Sequence, residues 1–449
     1  MDTISNRPVA VKQPPGLFLL FGVEMWERFS YYGMRAFLVL FLVSTAGGFG
    51  WSKQEAANLY GWYTGLVYLT PLFGGYLADR FLGTHRALII GSVVIASGHF
   101  CLAVPRQPTF FLGLALIILG TGFFKSNIST MVGQLYQPDD RRRDAAFTIF
   151  YMGINTGAAI GPIVCGYLAQ SARFGWHWGF GAAGVGMVAG LATYLIFKQR
   201  YLPGIGEVPA GRAAAREGRT HQPLSSDDRR GIAAIAILAF FNIFFWVAFE
   251  QAGSSMNFFA EERTSRQFLG IDFLAPYFQS VNPIAIIVLA PVFAWMWGRL
   301  AARGREPSTP VKFVAGLFLV SAGFAIMVVA ARLSDAGVRV SPLWLIATYV
   351  LQTCGELCLS PVGLSMVTKL APARFASLMM GIWFLAFFVS DRCAGILAGL
   401  VEKVERGEVF HILGGQADFF LMFVVVTVVA GTALFALSGT VKRLMRGRA

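Results

Sequence analysis

Charge is scarce in this chain. Only 14% of its 449 residues are Asp, Glu, Lys or Arg, well below the roughly 25% of soluble domains, while 56% are hydrophobic. With a mean hydropathy of +0.60, that balance excludes a string of soluble domains and points to a polytopic membrane protein. Cysteine is scarcer still. Cys101, Cys165, Cys354, Cys358 and Cys393 all lie in apolar runs, so no loop pairs exist to build a disulfide framework. Cys354 and Cys358 stand four apart on a helix, but without a nearby histidine or further cysteine they make a poor metal site. No H-E-x-x-H, G-x-S-x-G or paired-carboxylate metal spacing occurs in the apolar runs, which argues against an intramembrane enzyme and a resident metal. No cleavable signal is expected either: Met1 to Pro15 is polar, and the first apolar run is too long for a signal core. The net charge of +13 does not indicate nucleic acid, because the basic residues are dispersed among short loops.

What is present is a series of twelve apolar runs, the first near residues 16–43 and the last near 417–441. The longest polar stretch, 198–230, divides them six and six and is rich in Arg, Gly, Ala and Pro. The expected organisation is an N-terminal six-helix bundle (1–197), a cytoplasmic linker (198–230) and a C-terminal six-helix bundle (231–449). Two such halves imply a site between them near the bilayer midplane. With the N-terminus inside, the cytoplasmic segments hold 24 Lys and Arg against 9 in the opposite loops, an asymmetry that favours both termini in the cytoplasm. Pro71, Pro162, Pro283, Pro291 and Pro361 fall inside runs, where each removes a backbone donor and is expected to kink its helix.

The few charges inside the runs carry the functional signal. In EMWERFSYYG, helical spacing puts Glu24, Glu27, Arg28, Tyr31 and Arg35 on one stripe of a span. A charge at the centre of a spanning helix costs about 2.5–3.5 kcal/mol on insertion scales, so such groups face a bundle interior or a watery cavity. Two acids and two bases on one stripe favour a pathway lining over an interhelical salt bridge. Lys125 lies deep in the fourth run, too far from its ends to snorkel. Tyr151 and Asn155 share a face of the fifth run, whose glycines permit close helix approach. Glu250 lies in the seventh run, which ends at Glu261 and Glu262. Asn282 precedes a proline in the eighth, Glu356 and Ser360 are four apart in the tenth, and Trp383 is in the eleventh. Buried cations thus come from the first half and buried anions from the second. A zwitterion would fit between them, and so would pairs that break and re-form as a gate.

EMWERFSYYG resembles the first-helix motif ExxERFxYYG of the proton-dependent oligopeptide transporter family. The turn GYLADRFLGTHR and the block FYMGINTGAAIGP resemble that family's two signature regions. FWVAFEQAGSS, QSVNP and GELCLSPVGLSMVTKLAP follow in the expected order, so the resemblance spans nearly the whole chain. It implies an all-α integral membrane protein of the major facilitator superfamily, with twelve transmembrane helices in two six-helix bundles around a central cavity. The implied activity is proton-coupled symport of di- and tripeptides by alternating access in a plasma membrane, the inner membrane of a bacterium. No cofactor beyond the coupling proton is expected, and a monomer would suffice. By motif position, Arg28, Arg35 and Lys125 would hold the peptide carboxylate, and Asn155, Asn282 and Glu356 its amino terminus and backbone. Tyr31, Tyr32, Tyr68, Tyr151, Ser360 and Trp383 would line side-chain pockets, and Glu24 and Glu27 would couple protons with Arg28. Lys125 with Glu356 would form an inner salt bridge, and Arg35 with Glu261 or Glu262 an outer one. Asp79 in the signature turn would latch the inner side. Two features depart from the family pattern. The linker has no room for the two extra helices that many bacterial members insert, and Asp391 and Arg392 stand where uncharged residues are expected. A local pair between these last two is favoured over a role in the cavity.

Overall fold

The computed structural model describes residues 12–137, 140, 142–209, 225–268, 270–372 and 376–445. Residues 210–224, the middle of the expected linker, therefore lie outside the described residues. The helices are α1 (Pro15–Val43), α2 (Lys53–Leu77), α3 (Thr84–Leu102), α4 (Gln107–Gln134), α5 (Arg142–Gln170), α6 (Trp176–Tyr201), α7 (Ser226–Phe249), α8 (Ser255–Arg263), α9 (Val281–Ala302), α10 (Thr309–Asp335), α11 (Pro342–Leu370), α12 (Ala376–Ala398), α13 (Val401–Glu405) and α14 (Gln416–Met445). Among the described residues, ten helical segments are long and apolar enough to cross a membrane, with Ser226–Arg263 taken as one. The remaining two long helices are α1, which carries the charged stripe, and α2. They complete the twelve.

Local chemistry sets the helix ends. Proline at the first position of α1 loses no hydrogen bond, because that N–H has no intrahelical partner. At α2, Ser52 and Glu55 form a reciprocal capping box. Asp418 accepts from the N–H groups of Ile412, Leu413 and Gly414 at the start of α14. A π-helical turn, Ala78–Leu82, ends α2 inside the signature turn, and Gly83 closes it at φ +76°, a backbone conformation that glycine adopts without strain. Both α6 and α7 run further into the expected linker than 197 and 231. The linker's first residues pack back on the bundle: His85 N–H donates to the Gly206 carbonyl, and buried Lys198 holds the exposed Glu207 carboxyl below its usual range.

Two breaks differ from a simple run of spans. The seventh span is interrupted by a 3-10 turn, Glu250–Gly253, between α7 and α8. The eighth starts with another, Ala275–Ser280, so Pro283 falls in the first turn of α9 rather than in a helix interior. A first-turn N–H has no helical partner to lose, so Pro283 costs α9 no hydrogen bond and gives no reason for the expected kink. Pro71, Pro162, Pro291 and Pro361 do sit inside helices. The one departure from an all-helical fold among the described residues is a loop hairpin pairing Gln267–Phe268 with Ile271–Asp272, together with the isolated bridge Thr264–Val340.

Helices α1–α6 pack mainly on one another, as do α7–α14, and the two groups meet along α2 with α12 and α5 with α9. Within the first group, Gly153, Gly157 and Gly161 form a ridge on α5 against the backbone at Phe21, Met25 and Phe29 of α1. In a bilayer such close backbone packing, rather than hydrophobic burial, supplies much of the attraction. Between the groups, a Cβ on Gly61 would stand 2.8 Å from Cα of Gly395 and 2.9 Å from the Asp391 carbonyl oxygen. Gly61→Ala is thus expected to force α2 and α12 apart while leaving each group intact. A longer distance between labels at exposed Asn58 and Arg406 would register it, and an unchanged distance would show that the neighbours yield instead.

Candidate functional site

A cavity of about 270 Å³ lies between the two groups of helices. Its first wall is built by α1, α2, α4 and α5: Glu24, Arg28, Tyr32 and Arg35 are joined by Tyr68, Lys125, Tyr151 and Asn155. The facing wall carries Glu250, Gln279, Asn282, Tyr349, Glu356 and Ser360, with Phe384 and Phe387 from α12. Cations therefore line one wall and the facing wall is acidic. Among the described residues no group of His, Cys, Asp and Glu is arranged to hold a metal.

The α1 stripe divides. Glu24, Arg28, Tyr32 and Arg35 face the cavity, whereas Glu27 and Tyr31 are buried and absent from its lining, with Tyr31 stacked on Tyr63 of α2 at 6.4 Å. A rotation of about 100° per residue separates these neighbouring rows. Arg28 bridges the rows: its Nε lies 3.1 Å from Glu24 and donates to Glu27. Arg35 donates to the Tyr60 hydroxyl and to Glu250. The Lys125 ammonium stands 3.7 Å above the centre of the Tyr68 ring, an attractive cation–π position. Glu356 accepts from the Asn282 amide at 2.9 Å, and that amide also reaches Thr353.

Several sequence expectations need correction. Arg35 meets Glu250, not Glu261 or Glu262, because the turn after α7 brings Glu250 beside α1. Glu261 instead pairs with Arg266 and Gln170, and Glu262 with Lys53 at 2.7 Å. Lys125 and Glu356 both line the cavity but form no ion pair, since their walls stand apart. The expected Asp79 latch is also unmade: Asp79 is exposed and has no ion pair among the described residues. Trp383 is 1% exposed and packs on Phe313 and Gly363, so it is a core residue of its bundle; Phe384 and Phe387 take the cavity face instead. Asp391 and Arg392 form no local pair. Arg392 lies over the Trp62 ring at 4.7 Å, and buried Asp391 points elsewhere. Sequence reading missed Tyr349 and Gln279. Tyr349, Thr353, Glu356 and Ser360 follow a four-three-four spacing, which was a usable signal for the first. Gln279 was visible in QSVNP, three residues before Asn282.

The links between the two walls fall on one side. Arg35–Glu250, Lys53–Glu262, Gln170–Glu261 and Asn257 to the Ala36 carbonyl all lie towards the face opposite the chain ends. Towards the face of the chain ends, among the described residues, no ion pair or hydrogen bond joins the groups.

A model of the POT family matches residues 85–203 and 212–412. The chain belongs to the POT family. Its membership agrees with the proton-dependent oligopeptide transporter motifs and makes it a multi-pass membrane transporter of major facilitator type, not an enzyme. Among curated relatives it is 37% identical to the peptide transporter YePEPT of Yersinia enterocolitica, over 99% of this chain and 98% of that protein. It is 35% identical to a di-/tripeptide transporter of Lactococcus lactis, over 96% and 97% of the two chains. A crystal structure of a POT peptide transporter in complex with sulfate superposes with a TM-score of 0.87 at 34% identity, covering 98% and 97% of the chains.

Proposed function

We propose that this POT family transporter imports di- and tripeptides together with protons by alternating access, with both termini in the cytoplasm of a bacterial cell. The observation that carries the reading is the split of charge across the cavity. Arg28, Arg35 and Lys125 stand on one wall, and Glu356 with Asn282 on the other. A peptide zwitterion matches both ends of that arrangement, its carboxylate towards Lys125 and the arginines and its ammonium towards Glu356. The cavity's volume is near the lower end of small-molecule sites, about 300–1,000 Å³, which suits a short peptide. The names of the curated relatives support the substrate class. The Lys and Arg asymmetry supports the orientation, so the bridged face is the outer one and the structure represents a state closed outside. Glu24 and Glu27 act as proton carriers through Arg28, and one chain supplies the whole cavity, so a monomer suffices.

Proteoliposomes offered a peptide panel, free amino acids and nitrate, with and without an imposed proton gradient, test the reading. Gradient-dependent accumulation of di- and tripeptides is expected. Accumulation of nitrate or free amino acids alone, or peptide binding without accumulation, would overturn it. Lys125→Ala removes one charge-assisted contact of about 1.5–3 kcal/mol, so peptide affinity should fall about 10- to 100-fold. Equal binding of peptide by the variant would remove Lys125 from the site.

A further inference from the structure

Asp391 is a carboxyl group for which the scheme above has no use. It lies in the half of α12 nearer the bridged face and is 3% exposed. Among the described residues no hydrogen bond or ion pair reaches its carboxyl, and Oδ2 is enclosed without a partner. Its backbone lies at a close approach of the two bundles, where Gly61 of α2 meets Gly395 and the Asp391 carbonyl. The charged and titratable groups in electrostatic reach come from every side: Arg35 and Tyr31 of α1, Tyr68 of α2, Lys125 of α4 and Glu250 after α7. On its own helix, Arg392 turns away over Trp62. Arg35 is committed to Glu250 and Tyr60, and Lys125 stacks on Tyr68. Around the cavity, three cations (Arg28, Arg35, Lys125) face five carboxyls (Glu24, Glu27, Glu250, Glu356, Asp391). Full ionisation would leave the region anionic, and the carboxyl without any donor is the one whose charge costs most to bury.

We propose that Asp391 is a second proton site, filled from the outer side, whose protonation locks the seam between α2 and α12 shut. The proposal rests on the symport reading given above. Opening the outer face must part Gly61 from Gly395, because they belong to opposite bundles, and water then reaches Asp391. Closing the seam removes that water and supplies no replacement donor. Closure therefore selects the neutral carboxyl, and by linkage a proton on Asp391 selects closure. The step is a proton transfer alone: hydronium from the outer medium gives its proton to a carboxylate oxygen and leaves as water. The sign follows, with closure favoured as the outer pH falls and lost as it rises. Tyr31 and Tyr63, whose hydroxyls also lack partners among the described residues, stand in electrostatic reach of Asp391 and Glu27 respectively. They offer a polar route from the seam to the carboxylates of α1.

The test follows the label distance between Asn58→Cys and Arg406→Cys, in an active background without the native cysteines, from about pH 5 to about pH 8. The wild-type seam should close as pH falls. Asp391→Asn, a neutral mimic of the protonated acid, should stay closed across the range, and Asp391→Glu should restore the titration. Superimposable titrations of wild type and Asp391→Asn, with wild-type uptake driven by the gradient, would overturn the Asp391 assignment alone. Absence of gradient-driven uptake in the wild type would overturn the symport reading and this proposal with it. Should Asp391→Asn fold poorly, an Asp391→Glu titration identical to that of a seam lacking any acid, Asp391→Ser, would equally overturn it.

Discussion

With Glu24 or Glu27 replaced by glutamine, gradient-driven peptide accumulation is expected to vanish while counterflow exchange continues. The expectation comes from Arg28, which is 3% exposed and shared by both carboxylates. While both are ionised, its charge is more than neutralised and little attraction remains for a peptide carboxylate. A proton on either acid releases part of that charge to the cavity, so proton and peptide favour the same state, and that is thermodynamic coupling. Glutamine imitates the protonated acid permanently. Peptide can still bind and exchange, but no proton is carried with it. One proton crossing about 100 mV supplies roughly 2.3 kcal/mol, or about a 50-fold concentration ratio. The variants should fall from a ratio of that order to about 1 in proteoliposomes. Accumulation that survived both substitutions would mean that protons enter by other groups.

The second large effect is expected at the Arg35–Glu250 pair on the bridged face. Arg35→Ala leaves Glu250, 4% exposed, without its cation. Breaking a buried pair from one side costs about 3–5 kcal/mol. In the proposed cycle the penalty falls on the state closed at the bridged face, the state in which α1 meets the turn after α7. The ratio of closed to open forms should therefore drop by about 10² to 10³ or more, read as a longer distance across the outer face and as slowed uptake. Arg35→Lys should rescue incompletely, because one ammonium cannot serve both Tyr60 and Glu250 with the geometry of a guanidinium. A distance distribution identical to that of the wild type would show that Lys53–Glu262 and the helix packing hold the face closed without Arg35.

The two experiments also separate the charges proposed to carry protons from those proposed to hold the bundles together. Glu24, Glu27 and Arg28 lie within one helix, so their rearrangement needs no motion of the bundles. Arg35–Glu250 and Lys53–Glu262 join different bundles and change only when the bundles move. A peptide bound as proposed, between Lys125 and Glu356, would touch both walls, and occupancy of the cavity would reach the seams in that way.

Much of this was legible in the chain itself, because the signals are local. A bilayer admits few ways to hide a backbone, so run lengths alone gave the spans. A charge inside such a run is costly enough to mark a cavity, which is why Arg28, Arg35, Lys125, Glu250 and Glu356 stood out and why all five line the same space. The ordered motifs led to the family. Helical spacing placed Glu24 and Arg28 on a common face, since i and i+4 neighbours meet in any helix.

What the tertiary structure decided were partners and sides, which depend on how helices distant in sequence are rotated and how far apart they stand. Spacing could not separate Glu27 and Tyr31 from the cavity row, because one step of rotation turns the side chain from the cavity to the packed interior. Nor could composition say that Trp383 packs inward on Phe313, that Lys125 and Glu356 stand apart while Arg35 meets Glu250, or that Asp391 lies where α2 and α12 of opposite bundles meet closely. The α1 stripe was evident from the sequence as a set of buried charges. Which acid each base holds, and on which face the two halves touch, follow only from packing, because an ion pair forms between side chains that the fold brings within a few ångströms and not between residues that merely share a sign pattern.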